Sequence, residues 1–208
     1  MEIETPNPVK ISINGDESFD FIQNLITNDL SIINDILYSY LLTPQGKILL
    51  EVQIEKSNKG YDVICTNDQV NLYEYLDRYS KLSEISIEKL SIDSKLYGKN
   101  YLLNLFKDGK IDCNFLKHSN FLPSEIHDNY INYEKGCYVG QEVVSRIKHR
   151  QLRKKNIRVF EQISQEINPL PSEVQLLMEL DKYKILRLSI DANYKLMQDD
   201  FGIKLINP

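Results

Sequence analysis

The strongest constraint on the fold is a tight turn between two strand-like segments. Residues 37–43 are mostly apolar and aromatic, and residues 48–55 alternate apolar with polar side chains. Between them lies Pro44-Gln45-Gly46, a combination typical of a turn. A connection this short joins antiparallel neighbours, because parallel strands need a crossover of a dozen residues or more. The chain therefore contains a β-hairpin.

Other segments surround this hairpin. Alternation or neighbouring turn residues predict further strands at residues 9–13, 61–65, 85–87 and 101–106. Helices are predicted after the capping residue Asp16 and after either Asn67 or Asp68. Strand pairs separated by helices favour an α+β protein, with mostly antiparallel sheets and packed helices.

Composition excludes several classes of protein. The 208 residues suffice for one large domain or two small ones, and no apolar run is long enough to span a bilayer. A net charge of −5 argues against a general nucleic-acid binder. Residues 1–7 contain acidic residues and prolines and do not resemble a targeting leader. We therefore predict a cytoplasmic protein.

The cysteines and histidines do not have metal-site spacing. The chain has three of each, all widely separated: Cys65, Cys113, Cys137, His118, His127 and His149. It has no Cys-x-x-Cys pair, so a closed zinc site or a cluster held by the chain is not indicated. We predict reduced thiols and no resident metal.

The segment 135–142, Lys-Gly-Cys-Tyr-Val-Gly-Gln-Glu, has the most unusual composition. Residues 141–147 are predicted to form a short helix, so Cys137 lies just before a helix N-terminus, where partial positive charge favours a thiolate. Lys135 could also lower the pKa of this thiol. The alternative is a buried cysteine beside a glycine turn.

A basic run follows directly. Residues 143–160 contain no acidic residue and seven basic ones: Arg146, Lys148, Arg150, Arg153, Lys154, Lys155 and Arg158. Such a run is either a solvated face or a binding surface for an anionic ligand.

Four segments together resemble a known family. Lys-Gly-Cys-Tyr-x-Gly-Gln-Glu at 135–142 resembles the signature of the YgfZ-type folate-binding proteins, relatives of the glycine-cleavage T-protein. Residues 21–29 resemble the family's N-terminal helix with its Thr-Asn-Asp. Residues 44–47 resemble its hairpin turn, and Leu122-Pro123 the segment before the signature. The four occur in the family's order, within residues 1–160.

The resemblance implies a T-protein-like folate-binding domain over residues 1–160. It implies a folate-binding accessory factor in the assembly or repair of iron–sulfur proteins, with tetrahydrofolate or a derivative as ligand. Its partners would be iron–sulfur client or assembly proteins. Family members usually continue into a C-terminal β-barrel, of which residues 161–208 would form only a short β-rich remnant.

Candidate ligand residues follow from what a pterin ring needs, which is hydrogen-bonding partners, flat walls and a basic rim. Gln141 and Glu142 could pair with the ring edge, Tyr138 could stack, and Arg146 could bind an anionic tail. Glu51 could point into the same cavity. Alternatively, Glu51 faces solvent, and Arg146 only pairs with Glu142 along the helix.

Catalysis is less well supported. Cys137 is predicted to be a functional thiol without a catalytic triad, because no base lies near it in sequence. T-protein enzymes carry two adjacent acidic residues after the hairpin, where this chain has Leu50-Glu51. Leu50 therefore argues against the alternative of a tetrahydrofolate-dependent aminomethyltransferase. A third hypothesis, an RNA-binding module in tRNA modification, lacks the interleaved aromatic residues of single-strand binders.

Overall fold

The computed structural model describes residues 5–116, 120–164 and 168–206. The strands in these ranges are β1 (Val9–Asn14), β2 (Ile36–Leu42), β3 (Ile48–Ser57), β4 (Gly60–Cys65), β5 (Ser86–Leu90), β6 (Lys155–Gln162), β7 (Gln175–Leu180), β8 (Tyr183–Ser189) and β9 (Ile203–Leu205). The helices are α1 (Ser18–Gln23), α2 (Leu72–Ser80), α3 (Lys99–Lys107), α4 (Pro123–Ile126), α5 (Gln141–His149) and α6 (Tyr194–Phe201). The α+β class predicted from the sequence is confirmed.

The first sheet has the strand order β2-β3-β4-β1-β5, and every pair in it is antiparallel. The predicted hairpin is β2–β3, in which Tyr40 pairs with Glu51. One face of this sheet packs against α1 and α2, with Val52 and Ile54 fully buried among Ile22 and other apolar side chains. Burying each such side chain contributes about 1.5–3 kcal/mol.

The opposite face of the first sheet is covered by the second half of the chain. Tyr40 and Ile48 belong to the same apolar cluster as Phe106 of α3, Val159 of β6 and Ile185 of β8. The side chains of β3 that point to this face, including that of Glu51, are therefore enclosed between the two halves.

The second sheet has the order β7-β8-β6-β9, again antiparallel, and α6 packs on it through Met197. The guanidinium of Arg187 on β8 donates two 2.8 Å hydrogen bonds to the buried carboxylate of Glu125 on α4. The division at residue 160 lies inside β6 and stays a prediction.

The strand predicted at residues 101–106 is wrong, because this segment forms α3. A short run of consecutive apolar residues is compatible with a strand and with a helix. The fully buried pair Leu102 and Phe106 has the four-residue spacing of one helix face. The helix is followed by Gly109, which has a φ of 68° and donates its N–H to the carbonyl of Phe106.

No helix within the three described ranges is both long enough and apolar enough to cross a membrane.

Candidate functional site

The lysine of the signature segment binds the N-terminal part of the chain. The buried ammonium of Lys135 donates to the carbonyl oxygens of Gln23, Ile26 and Asn28, at 2.5, 2.8 and 3.0 Å. Burial lowers the pKa of Lys135 to about 8, and the charge of Asp29 acts in the opposite direction. The ammonium form therefore dominates at neutral pH, and its three N–H groups match three carbonyl acceptors.

Neighbouring bonds fix the signature segment on the same surface. The backbone N–H of Asn132 donates to the carbonyl of Thr27 at 3.0 Å, and the hydroxyl of Thr27 donates to the carbonyl of Tyr130 at 2.7 Å. The side-chain amide of Gln141 donates to the carbonyl of Lys135 at 3.2 Å. The amide predicted to pair with a ligand thus closes the loop before α5.

Two glycines bring the signature segment against the hairpin turn. Gly140 has a φ of 82°, and a Cβ atom added there would lie 2.6 Å from the carbonyl oxygen of Thr43. Gly46 has a φ of 71°, and a Cβ atom added there would lie 2.9 Å from Cβ of Val143. Both positions exclude any larger residue, because the turn and the start of α5 pack backbone to backbone.

The remaining resemblance segment meets the same turn. The N–H of Ile48, two residues after Gly46, donates to the carbonyl of Phe121 at 2.9 Å. Phe121 directly precedes Leu122-Pro123. All four segments that carry the resemblance are therefore held in one contiguous region.

The thiol lies at the surface of this region. Cys137 is exposed, so the alternative of a buried cysteine is wrong. Gly136 beside it has no heavy atom within 4 Å of an added Cβ. The ammonium of Lys135 is bound to carbonyl groups, and His149 ends α5 about 12 Å along the helix from its first residue. Neither Lys135 nor His149 is thus a positioned base for the thiol within the described ranges.

Tyr138 points the other way, into the protein. Only 7 % of its surface is exposed, and its ring lies 5.2 Å from the Lys135 ammonium. Its buried hydroxyl has no hydrogen-bond partner among the described residues. A buried hydroxyl without a partner is costly, and a bound ligand could satisfy it.

Glu142 and Arg146 are exposed on α5, and within the described ranges no hydrogen bond or ion pair of the Glu142 or Arg146 side chain is found. The helical ion pair considered from the sequence is therefore not formed. Both side chains remain available to a ligand.

Glu51 lies in a different cluster. The side chain is buried, so the solvent-facing alternative is wrong. Its carboxyl oxygen accepts the N–H of Cys113 at 3.2 Å. The side-chain amide of Asn114 bonds both the N–H and the carbonyl of Glu51, each at 2.9 Å. The segment around residue 113 therefore lies against β3. The side-chain amide of Asn114 makes the two backbone hydrogen bonds that a neighbouring strand would otherwise make to Glu51.

A second carboxyl, that of Asp112, lies in this cluster. It accepts hydrogen bonds from the Thr66 hydroxyl at 2.5 Å, the Tyr101 hydroxyl at 2.9 Å and the Asn114 N–H at 3.0 Å. Burial raises the pKa of Glu51 well above its ordinary value, and the nearby charge of Asp112 raises it further. Burial also raises the pKa of Asp112, but its hydrogen bonds oppose this rise. Of the two carboxyl groups, Glu51 therefore has the pKa that its surroundings raise more.

Aromatic rings surround the Glu51 side of the sheet. Tyr38 and Tyr130 stack with centroids 5.3 Å apart, and Tyr40 lies 5.5 Å from Tyr130. Beside Cys113 and Asn114 opens a cavity of about 190 Å³. Pockets that enclose a whole small molecule begin at roughly 300 Å³, so this cavity could hold only part of one.

Sequence reasoning missed Asp112, Asn114, Tyr101 and Tyr130. They lie in a stretch without clear periodicity, and their proximity to Glu51 depends on chain pairing across some sixty residues. Glu51 itself lies about 10 Å along β3 from Ile48, where the strand leaves the turn bound by the signature segment. Only an elongated ligand could contact both clusters.

Comparisons with known proteins show what this chain is similar to. No protein-family model matches the chain. An iron–sulfur cluster assembly factor, the mitochondrial IBA57 homolog of Candida glabrata, is 26 % identical over 195 residues, which are 88 % of this chain and 36 % of that protein. Aminomethyltransferases of Caldanaerobacter subterraneus and a Thermoanaerobacter species are 29 % and 30 % identical over 87 residues, 39 % of this chain and 23 % of each enzyme.

A solved structure settles the fold. The crystal structure of the glycine cleavage system aminomethyltransferase T from Bartonella henselae matches with a TM-score of 0.61 and 8 % identity, over 88 % of this chain and 76 % of that one. This chain has the T-protein fold. The resemblance predicted from the sequence is confirmed, although the chain spans only 23–36 % of the length of the curated relatives it matches.

The glycine contact can be tested by adding one methyl group. Gly140→Ala should lower the free energy of unfolding by about 1–3 kcal/mol, because it forces a left-handed alanine against a carbonyl oxygen. Gly136→Ala is the matched control, since that glycine has open space and no left-handed φ. Urea unfolding measures both. Equal stability of the two variants would contradict the backbone contact.

The protonated state of Glu51 predicts a pH dependence. A pKa raised above the ordinary 4.5 means that the folded protein binds more protons than the unfolded chain above that pH. The free energy of unfolding should therefore fall as pH rises from about 4.5, and Glu51→Gln should remove this part of the fall. Urea unfolding at pH 5 and pH 8 measures it, with the exposed Glu88→Gln as control. Parallel pH profiles of wild type and Glu51→Gln would show that Glu51 is ionised.

Proposed function

We propose that this chain is an accessory factor in the assembly or repair of iron–sulfur proteins. The observation that carries the proposal is the extent of the matches. Similarity to the assembly factor covers 88 % of the chain, whereas similarity to the aminomethyltransferases covers 39 %. Client and assembly proteins of the iron–sulfur pathway are the proposed partners.

The aminomethyltransferase alternative is supported by the fold and by those shorter matches. The chemistry of the site supports the aminomethyltransferase alternative less well than the assembly role. Leu50 is buried on the helix-covered face of the first sheet. Glu51 holds its proton inside a hydrogen-bonded cluster. A carboxylate that exchanges protons with a substrate must reach the reacting nitrogen and must be able to ionise near working pH.

We further propose tetrahydrofolate or a derivative as the bound small molecule. The types of residue at the site suit such a ligand. Its ring edge could pair with the carboxyl group of Glu51, and its ring could pack against Tyr38 and Tyr130. Tyr138 offers a buried hydroxyl that lacks a partner. Arg146 would bind the distal part, whose carboxylates suit a guanidinium, and Glu142 would accept hydrogen bonds from N–H groups of the ligand. When bound, a tetrahydrofolate can carry a one-carbon unit.

The cellular compartment of the protein is also a proposal. The sequence predicts a cytoplasmic protein, whereas the Candida glabrata relative is named as mitochondrial.

Complementation tests the assembly role and the compartment together. The chain should restore iron–sulfur enzyme activity in Candida glabrata cells that lack their IBA57 homolog, when expressed with or without an added mitochondrial leader. Cys137→Ser should lower the rescue at least about tenfold, because the exposed thiol is the reactive group of the signature. Gly136→Ala in the same loop should rescue fully.

Two outcomes would contradict this. Absence of rescue from both compartments, at normal protein levels, would overturn the assembly role. Full rescue by Cys137→Ser would make the thiol structural. Methylene transfer to tetrahydrofolate by the purified chain, measured directly, would establish the aminomethyltransferase alternative instead.

Titration with tetrahydrofolate tests the ligand. We expect Glu51→Leu and Glu142→Ala each to weaken binding about tenfold, the effect of one lost hydrogen bond. Glu88→Gln, an exposed change on β5, should bind as wild type does. Calorimetry measures the affinities of wild type and the three variants. If wild type does not bind, folate is removed from the proposal while the rescue assay stands on its own.

A further inference from the structure

A cleft lies at the C-terminal end of α5, away from the glycine contact. It has a volume of about 310 Å³ and is lined by Asp128, Tyr133, Ile147, Lys148, Arg153 and Ile190, among others. The same helix therefore begins at the signature segment and ends at this cleft.

Most of the basic run around the cleft is used within the protein. Lys148 pairs with Asp128 at 3.1 Å, Arg153 donates to the Ser124 carbonyl at 3.0 Å, and Arg158 donates to the Ile157 carbonyl at 2.8 Å. By contrast, the side chains of Arg150 and Lys154 are exposed, and no hydrogen bond or ion pair joins them to any described residue. Arg150 and Lys154 are sequence neighbours of the lining residues Gln151 and Arg153, and their charges are thus free, among the described residues, to meet an anionic partner.

Apolar side chains accompany these two charges. Leu152 is 47 % exposed and Ile190 is 39 % exposed. The N–H of Ile190 donates to the carbonyl of Lys154 at 3.1 Å, which places the apolar residue beside the charge. A partner that binds here therefore needs both negative charge and an apolar group.

The backbone holds Leu152 at the surface at some cost. Gln151 has a φ of 53°, a left-handed conformation that is unfavourable for a residue other than glycine. This conformation lets the N–H of Leu152 donate to the carbonyl of Ile147 at 3.0 Å, which closes the helix end. The leucine side chain then remains in solvent.

The aromatic residue that lines the cleft does not suit a nucleic acid. Bases bind single-strand sites by stacking on open aromatic faces. The ring of Tyr133 is covered by the Lys148 ammonium at 4.5 Å. A protein segment satisfies these constraints better.

We infer that this cleft docks an acidic segment of a partner protein, with an apolar side chain placed against Leu152 and Ile190. The acidic residues pair with Arg150 and Lys154. The inference rests on the proposed function only for the partner being a protein.

Fluorescence anisotropy with a labelled peptide tests the inference. The probe is an eight-residue peptide of Asp and Glu with one central leucine, compared with the same peptide carrying glycine instead. Wild type should bind the leucine peptide at least about tenfold more tightly than the glycine peptide. Arg150→Glu/Lys154→Glu should weaken binding about tenfold or more, and Leu152→Ser should abolish the preference for leucine.

The control is Lys56→Glu/Lys107→Glu, which makes the same change in charge at two exposed lysines outside the cleft and should bind as wild type does. Equal binding of both peptides would reduce the surface to non-specific electrostatics and overturn the inference. So would tighter binding of a single-stranded RNA of about 20 nucleotides, or no binding of the leucine peptide. Because peptide binding and cellular rescue are separate readouts, either proposal can fail without the other.

Discussion

The ammonium of Lys135 is the interaction on which the candidate site depends. A buried charge is tolerated only where its hydrogen-bonding capacity is filled, and three carbonyl groups at the end of α1 and just after it fill it. That requirement fixes the signature segment to the N-terminal helix, and the contact of Gly46 with Gly140 fixes it to the hairpin. The segments that resemble the YgfZ-type proteins are dispersed over more than a hundred residues but form one surface. Their occurrence together therefore has a physical basis in this contact region.

Local patterns predicted much of this fold. Alternating side chains and the Pro-Gln-Gly turn predicted β2 and β3. Apolar residues at helical spacing after a glycine predicted α5. They failed at α3, where a short apolar run suits either structure and only the burial of Leu102 and Phe106 decides between them. They also failed for the environment of Glu51. The strand pattern did not reveal what Glu51 contacts, because its partner Asn114 belongs to a segment without strand or helix periodicity.

The two buried carboxyl groups show how environment separates similar residues. Glu51 and Asp112 experience the same penalty for burial of charge, but Asp112 receives hydrogen bonds from two hydroxyls and a backbone N–H. These donors stabilise an anion, and that anion in turn disfavours a second one on Glu51. The surroundings therefore favour the neutral form of Glu51 more than that of Asp112. In that form the carboxyl group can both donate and accept a hydrogen bond, which suits the donors and acceptors of a pterin edge.

The charges of α5 have two different causes. Glu142 lies in its first turn, and Arg146, Lys148 and His149 lie in its last, the distribution that stabilises any helix through its dipole. Helix stability therefore explains part of the basic run without a ligand. It does not explain Lys154, which lies beyond the helix, nor the exposed Leu152 next to a left-handed Gln151. The left-handed Gln151 closes the helix end, and the proposed docking of an acidic segment would use the exposed charge and the exposed leucine.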